Sequence, residues 1–299
     1  MCGIVGLYLK NPALHDRLGE FFAPMLIEMT ERGPDSAGIA IYREEPEVAA
    51  KVCAYSADTR IDWSAIARAM VDDLGIEVAV ERNASHAVFR SPSPDADLRG
   101  WFERERPDLR IMSSGAALEI YKEVGLPATV LERFGIAGMQ GSHAIGHTRM
   151  ATESAVTTEG AHPFNTGDDL CLVHNGSLSN HNRLRDWLRR HAGLTFQTEN
   201  DTEVAAAYLT WRLREGDSME TALEGALRDL DGFYTFAIGT RSGFSVLRDP
   251  IACKHAIMAE TEDWVGMATE YRALARLPGV ENARIWEPKP ATVYTWGST

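Results

Sequence analysis

A chain of 299 residues with 44% apolar and 24% charged side chains has material for a substantial core and the ordinary balance of a soluble globular protein. Its formal net charge of −13, with no basic run anywhere, repels phosphate backbones and excludes nucleic acid as an expected partner. Apolar stretches such as Phe233 to Ile238 are strand-length, far short of the roughly 20 residues that a membrane-spanning helix needs, so no membrane association is expected.

In chain order, Cys2 to Leu9 is a short apolar run that predicts a strand starting directly after the initiator methionine. Leu14, Leu18, Phe21, Phe22, Met25, Leu26 and Met29 keep helical spacing, and Gly33-Pro34 closes that helix. Strands are expected at Ile39 to Tyr42 and Val48 to Cys53. From Tyr55 to Gly141 the pattern is mixed: a helix over Ile61 to Leu74, a strand over Ile76 to Val80, and a break at Ser91-Pro-Ser-Pro94. Three helices follow at Asn180 to Arg190, Asp201 to Arg214 and Met219 to Leu230. The last third predicts short strands at Phe233 to Ile238, Phe244 to Leu247, Ala256 to Met258, Ala283 to Trp286 and Thr292 to Tyr294. Strands, a block of helices and strands again predict an α+β fold of antiparallel sheets covered by helices. No internal repeat interrupts it, so residues 2–299 are expected to form one domain with an enlarged middle segment at 55–141.

Four widely spaced cysteines, Cys2, Cys53, Cys171 and Cys253, form no C-x-x-C pair, and no signal peptide precedes them. Neither disulfides nor zinc is expected, and a cytoplasmic location is the default. Cys2 stands out for its position. Removal of methionine before a small residue would leave a free α-amine beside the thiol, and such an amine titrates near pH ~7.7 to 8.0. One residue would then supply both nucleophile and base. Position alone leaves open the alternative that Cys2 is merely a small apolar residue opening a strand. His143, His147, His162 and His174 fall in sequence read as strands and loops, where the four-residue step from His143 to His147 makes no helical metal pair, so hydrogen bonding in the core or in loops is the expected role. A direct part for His162 and His174 near a pocket stays open.

The chain carries an ordered set of motifs. They are Met-Cys-Gly-Ile-Val-Gly at the start, Arg32-Gly33-Pro34-Asp35-Ser36-Ala37-Gly38, Gly146-His147-Thr148-Arg149-Met150-Ala151-Thr152, Ala161-His162-Pro163, His174-Asn175-Gly176, Asn200-Asp201-Thr202-Glu203 and Arg248-Asp249-Pro250. Together they resemble the class II glutamine amidotransferases over nearly the whole chain apart from its middle segment. The resemblance implies an N-terminal-nucleophile hydrolase fold, a four-layer α/β/β/α sandwich with antiparallel sheets. It also implies glutamine hydrolysis through a thioester on Cys2. Asn175 and Gly176 match the family's oxyanion pair, the first offering a side-chain amide and the second a backbone N–H with no Cβ in the way. Taken alone, Asn-Gly would be a hairpin turn. Arg149 and Asp201 match the pair that holds the α-carboxylate and α-ammonium of glutamine. Alone, Arg149 would be a surface ion-pair partner and Asp201 a helix N-cap. Thr152 matches a substrate contact of the same loop, and Arg32 with Asp35 a supporting loop beside the nucleophile.

Three departures bear on the pocket. Met150 stands where some relatives have tryptophan, Glu153-Ser154 where some have histidine and glycine, and the middle segment is longer than in compact members. That segment is expected to be a docking surface, a lid or a plain elaboration. The amidotransferase motifs run close to the C-terminus, and no phosphate loop, G-x-G-x-x-G fingerprint or cysteine cluster is present. The acceptor chemistry is therefore expected on another polypeptide. The chain is similar to the stand-alone amidotransferase subunits of split glutamate-synthase-like complexes, including N-methylglutamate synthase. That similarity implies synthase partner subunits in a hetero-oligomer, with flavin and iron–sulfur centres on the partners and no cofactor on this chain. An N-terminal-nucleophile amidohydrolase acting on another amide, and a non-catalytic subunit of the same fold, remain the alternatives.

Overall fold

The computed structural model describes residues 2–150 and 156–297. The chain opens with β1 (Gly3–Leu9), α1 (Leu18–Ile27) and β2 (Ser36–Tyr42), then β3 (Ala50–Tyr55), α2 (Trp63–Leu74), β4 (Ala79–Asn83) and β5 (His86–Ser91). It continues with α3 (Leu98–Glu105), β6 (Arg110–Gly115), β7 (Leu118–Val124), α4 (Pro127–Phe134), β8 (His143–Arg149), β9 (Phe164–Gly167) and β10 (Leu170–Leu178). Helices α5 (His181–His191), α6 (Asp201–Arg214) and α7 (Met219–Asp229) follow in a block. The remainder is β11 (Gly232–Thr240), β12 (Gly243–Arg248), β13 (Ile257–Glu260), β14 (Trp264–Ala268), α8 (Tyr271–Leu274), β15 (Arg284–Trp286) and β16 (Thr292–Gly297).

Two antiparallel sheets face each other. One runs β15-β13-β14-β1-β8-β2-β7, the other β16-β12-β11-β10-β9. Phe244 of β12 presses on Gly6 of β1 so closely that a Cβ there would lie 2.6 Å from the ring. One core cluster joins Val5, Ile145, Val173, Phe244 and Met267 across the two sheets and takes in Phe22, Met25 and Leu26 of α1 on the outer side. A second lies between β10, β11 and the helices α5 to α7. In α6 every residue from Thr202 to Thr210 is buried, and the run Ala205-Ala206-Ala207 lets the helix lie close on β9 and β10. Each buried Leu or Phe contributes about 1.5–3 kcal/mol relative to exposure, so these helices are held chiefly by the sheets they cover. The result is the helix–sheet–sheet–helix layering expected from the sequence.

The middle of the chain divides differently from the sequence expectation of a segment at 55–141. β2 and β7 pair directly, from Ser36 opposite Val124 to Tyr42 opposite Leu118, so they form one hairpin whose connection is residues 43–117. That connection folds into a third sheet, β4-β5-β3-β6, with its own core of Val52, Phe89, Trp63, Met70, Trp101 and Phe102 under α2 and α3. β3 therefore belongs to the insert, while β7 and α4 belong to the main layers. Pairing between strands so far apart in sequence leaves no local signal.

Buried charges join the insert to the large sheet. Glu119 of β7, 2% exposed, receives Lys51 Nζ at 3.1 Å, Arg43 at 3.0 Å, Arg90 at 3.2 Å and the Tyr121 hydroxyl at 2.8 Å. Burial alone would raise the Glu119 carboxyl, but these cations outweigh it and hold it below the usual range. Beside them, the Asp169 carboxylate accepts the backbone N–H groups of Ala116, Ala117 and Leu118 at 2.8–2.9 Å, fastening the β6–β7 turn to the second sheet.

Most predicted elements stand within a few residues. The helix expected from Leu14 begins at Leu18 after a 3-10 turn over Pro12–Arg17. The strand placed at 76–80 occupies Ala79–Asn83. β14, which pairs with β1 from Val5–Ala268 to Leu9–Trp264, was not expected.

Candidate active site

The site is built where the ends of β1, β8 and β10 meet the start of α6. Gly3 pairs with Thr148, and a Cβ on Gly3 would lie 2.8 Å from Met29 Cβ and 2.9 Å from Thr148 Oγ1. The missing side chain lets the head of β1 nest there. The Ile4 N–H donates to Thr269 Oγ1 at 2.9 Å, and the Thr269 N–H returns to Ile4 O at 2.9 Å. Cys2 is thus delivered, half-buried, at the head of the central strand of its sheet.

Asn175 and Gly176 lie within β10 rather than in a turn. The Asn175 side chain donates to the Cys2 carbonyl at 3.2 Å, tying the two sheets together at Cys2. Gly176 sits at φ +152°, and a Cβ there would fall 2.0 Å from Phe233 O and 2.8 Å from His174 Nε2, so no other residue fits. Arg149 ends β8 and is 7% exposed. The loop carrying Arg32 and Asp35 packs behind it. A Cβ on Gly33 would lie 2.4 Å from the Thr148 carbonyl carbon, and the Asp35 N–H donates to Arg149 O at 3.1 Å. Arg32 itself pairs with Glu270 at 3.1 Å, beside Thr269, and so supports this loop from the residues after β14. Thr152, together with Glu153 and Ser154, lies outside the described residues.

Asp201 is the first residue of α6 and not its cap; Asn200 is the cap, accepting the Thr202 N–H at 2.9 Å. Asp201 Oδ2 accepts the Leu178 N–H at 2.9 Å, and Oδ1 lies 3.6 Å from His174 Nδ1. Burial raises the Asp201 carboxyl, but His174 and the Leu178 N–H outweigh it and bring it down to about 2. It is an anion at neutral pH. Three histidines form the floor beneath it. The Thr202 hydroxyl lies 2.7 Å from His162 Nε2 and 3.0 Å from His174 Nδ1, and His147 stacks on His162 with centroids 3.9 Å apart. Burial lowers His147 to about 3 and His162 well below its ordinary value, so both are neutral hydrogen-bonding groups.

Cys2, Arg149, Gly176 and Asp201 line one cleft of about 900 Å³, with His162 and His174 also on its surface. Of the other sequence-selected residues, Asn175 reaches it through Cys2, and Arg32 stands behind Arg149. The rest of the lining was not anticipated. It comes from Pro107–Arg110 of the insert, from Thr157 to Gly160, and from Gln197 to Asn200. Arg110 donates to Gln197 O at 3.1 Å, linking two of these loops. Only the length of the middle segment marked it in the sequence. Among the described residues no group of three or more His, Cys, Asp or Glu side chains is placed to hold a metal ion, and no helix is long and apolar enough to cross a membrane.

Two facing antiparallel sheets between helical layers, with a cysteine at the head of a central strand, are the architecture of the N-terminal-nucleophile amidotransferases. The solved glutamine phosphoribosylpyrophosphate amidotransferase of B. subtilis, complexed with ADP and GMP, shares this fold with a TM-score of 0.63 at 21% identity. The match covers 99% of this chain and 47% of that one. The chain belongs to the glutamine amidotransferase family. It is 58% identical over 297 residues to the glutamine amidotransferase-like protein GlxB of Rhizobium meliloti, covering 99% of this chain and 98% of that protein. It is 30% identical over 309 residues to a putative glutamine amidotransferase of Methanothermobacter thermautotrophicus, covering 98% and 99%. Residues 147–276 match the glutamine amidotransferase domain model. The chain also matches 26% of the length of the glutamine–fructose-6-phosphate aminotransferase of Pseudomonas syringae, at 29% identity over 164 residues.

Proposed function

We propose that this chain hydrolyses glutamine to glutamate and ammonia through a thioester on Cys2 and passes the ammonia to a synthase partner subunit. What supports the reading most is that Cys2, Gly176, Arg149 and Asp201, scattered over 200 positions of sequence, line one cleft. In this reading Met1 is removed and the freed α-amine takes the proton of the Cys2 thiol. The thiolate attacks the side-chain carbonyl carbon of glutamine, and the same amine returns the proton to the departing nitrogen. Water then attacks the thioester, releasing glutamate and restoring the thiol.

Charge builds on the carbonyl oxygen in both steps. The Gly176 N–H and the second N–H of the Asn175 amide, the first being held by Cys2 O, are the donors for it. Arg149 takes the α-carboxylate, and Asp201 takes the α-ammonium as the anion its surroundings make it. Thr152 is a further contact to substrate, and Arg32 holds the loop behind Arg149. The acceptor chemistry, with flavin and iron–sulfur centres, belongs in this reading to partners of the glutamate-synthase or N-methylglutamate synthase type.

The test is intact mass after incubation with 6-diazo-5-oxo-norleucine, with Cys2→Ala as control. A chain lacking Met1 with one adduct, absent from Cys2→Ala, is expected. A chain that retains Met1 and takes no adduct removes the proposal.

A further inference from the structure

Lys122 lies on β7, at the edge of the seven-stranded sheet, and its amine is buried where three backbone carbonyls converge. Nζ donates to Ala161 O at 2.7 Å, Pro163 O at 3.1 Å and Glu159 O at 3.2 Å, and sits 4.7 Å over the centre of the Phe164 ring. No carboxylate pairs with it among the described residues. The three carbonyls belong to one short stretch, 157–163, whose Thr157, Glu159, Gly160 and His162 line the Cys2 cleft. The stretch lies hard on the sheet: a Cβ on Gly38 would fall 2.0 Å from His162 O. The neighbouring Glu123 accepts the Thr158 hydroxyl, so two successive residues of one strand hold the same wall.

We propose that Lys122 is a positioning residue whose ammonium straps the 157–163 wall of the cleft in place, so that glutamine binds more tightly when this amine is protonated. The inference rests on the glutaminase reading for its ligand and on the carbonyl geometry for its mechanism. Three acceptors need three N–H donors. An ammonium has three and a neutral amine two, so loss of the proton frees one carbonyl and weakens the other two bonds, which are no longer charge-assisted.

The groups facing the amine come from several elements. Burial lowers Lys122 most and Arg110 on β6 adds to the fall, while Cys171 on β10, Glu203 on α6 and Glu159 in the wall itself oppose it; together they leave the amine at about 7. Glu203 is committed elsewhere, to the Gln197 and Thr198 N–H groups at 2.8 Å. His86 on β5 and His162 also feel the amine, which lowers both, and both are neutral at pH 7. The strap is therefore charged below about pH 7 and loses its charge above it. The folded value lies below the unfolded one of about 10.4, so folded protein binds fewer protons in between and global stability gains as pH rises. Loosening of the wall and unfolding of the chain thus run in opposite directions with pH.

The experiment combines hydrogen–deuterium exchange of the 157–163 peptide with the rate of Cys2 labelling by 6-diazo-5-oxo-norleucine. Wild type and Lys122→Met are compared from pH 6 to 8.5, with exchange corrected for its intrinsic pH dependence. Protection of the peptide in wild type should fall about ten-fold across the range, and Lys122→Met should lack it throughout. The labelling rate of wild type over Lys122→Met should fall from about ten at pH 6 toward one at pH 8.5. A flat wild-type profile, or a variant as protected as wild type, overturns the strap. If the variant does not fold, the wild-type exchange series decides alone. Absence of labelling at every pH would remove the glutaminase reading, and the exchange data would still decide the strap.

Discussion

Cys2, Arg149 and Gly176 in the cleft hang on backbone ladders, and the loops that complete its lining hang on side chains. Cys2, Arg149 and Gly176 are placed by the pairing of β1 with β8 and of β10 with β11, so moving any of them means breaking a sheet. The rest of the lining is three loops, held by Lys122, by Arg110 to Gln197 O, and by the Glu119 ion cluster that anchors the insert. A reaction centre needs fixed geometry to within a fraction of an ångström, whereas a wall that admits substrate must be able to move. The division between ladder-held and side-chain-held parts follows that need.

The sharpest way to break the ladder-held half is Gly176→Ala. A Cβ would collide with Phe233 O, and on the proposed mechanism the N–H beside it would shift from the developing oxyanion, so kcat for glutamine hydrolysis should fall by about 10²-fold or more. The loss of adduct formation in the mass assay checks it. The side-chain-held half breaks at its anchor. Glu119→Gln leaves Lys51 and Arg90 buried beside a neutral amide and should lower the unfolding free energy by about 3 kcal/mol, read from urea denaturation. Cys2 labelling per folded molecule should change far less than in Gly176→Ala, and an equal loss would erase the distinction between the halves.

A smaller effect is expected at the junction of the two, Asp201. Asp201→Asn should raise KM for glutamine about ten-fold with kcat little changed, as removal of the proposed charge-assisted contact to the α-ammonium predicts. The same carboxylate titrates below its unfolded range. Its stabilisation is present above pH ~4 and lost as pH falls through about 2, and the acid limb of Asp201→Asn should lack that increment.

Local pattern placed most of the helices: α7 runs from Met219 to Asp229 with one apolar stripe buried, and α6 from Asp201 to Arg214 as expected, although it is buried on every side from Thr202 to Thr210. The cleft residues Cys2, Arg149, Gly176 and Asp201 were legible as motifs, since each needs a particular side chain or none at all. His174 was less so. A histidine before Asn-Gly does not announce that its Nδ1 will lie between Thr202 and Asp201.

What the amino-acid sequence determined by itself was therefore local: where apolar periodicity changes, and which residue types an amide-cleaving site requires. The tertiary structure decided what is joined across long separations. It turned residues 43–117 into an insert within the β2–β7 hairpin, brought Pro107–Arg110 into the lining of the same cleft as Cys2, and buried the Lys122 amine under three carbonyls of a loop 37 to 41 residues later. The physical reason is that strand pairing and buried charge are satisfied by whatever partner the fold delivers, and neither leaves a mark in the neighbouring sequence.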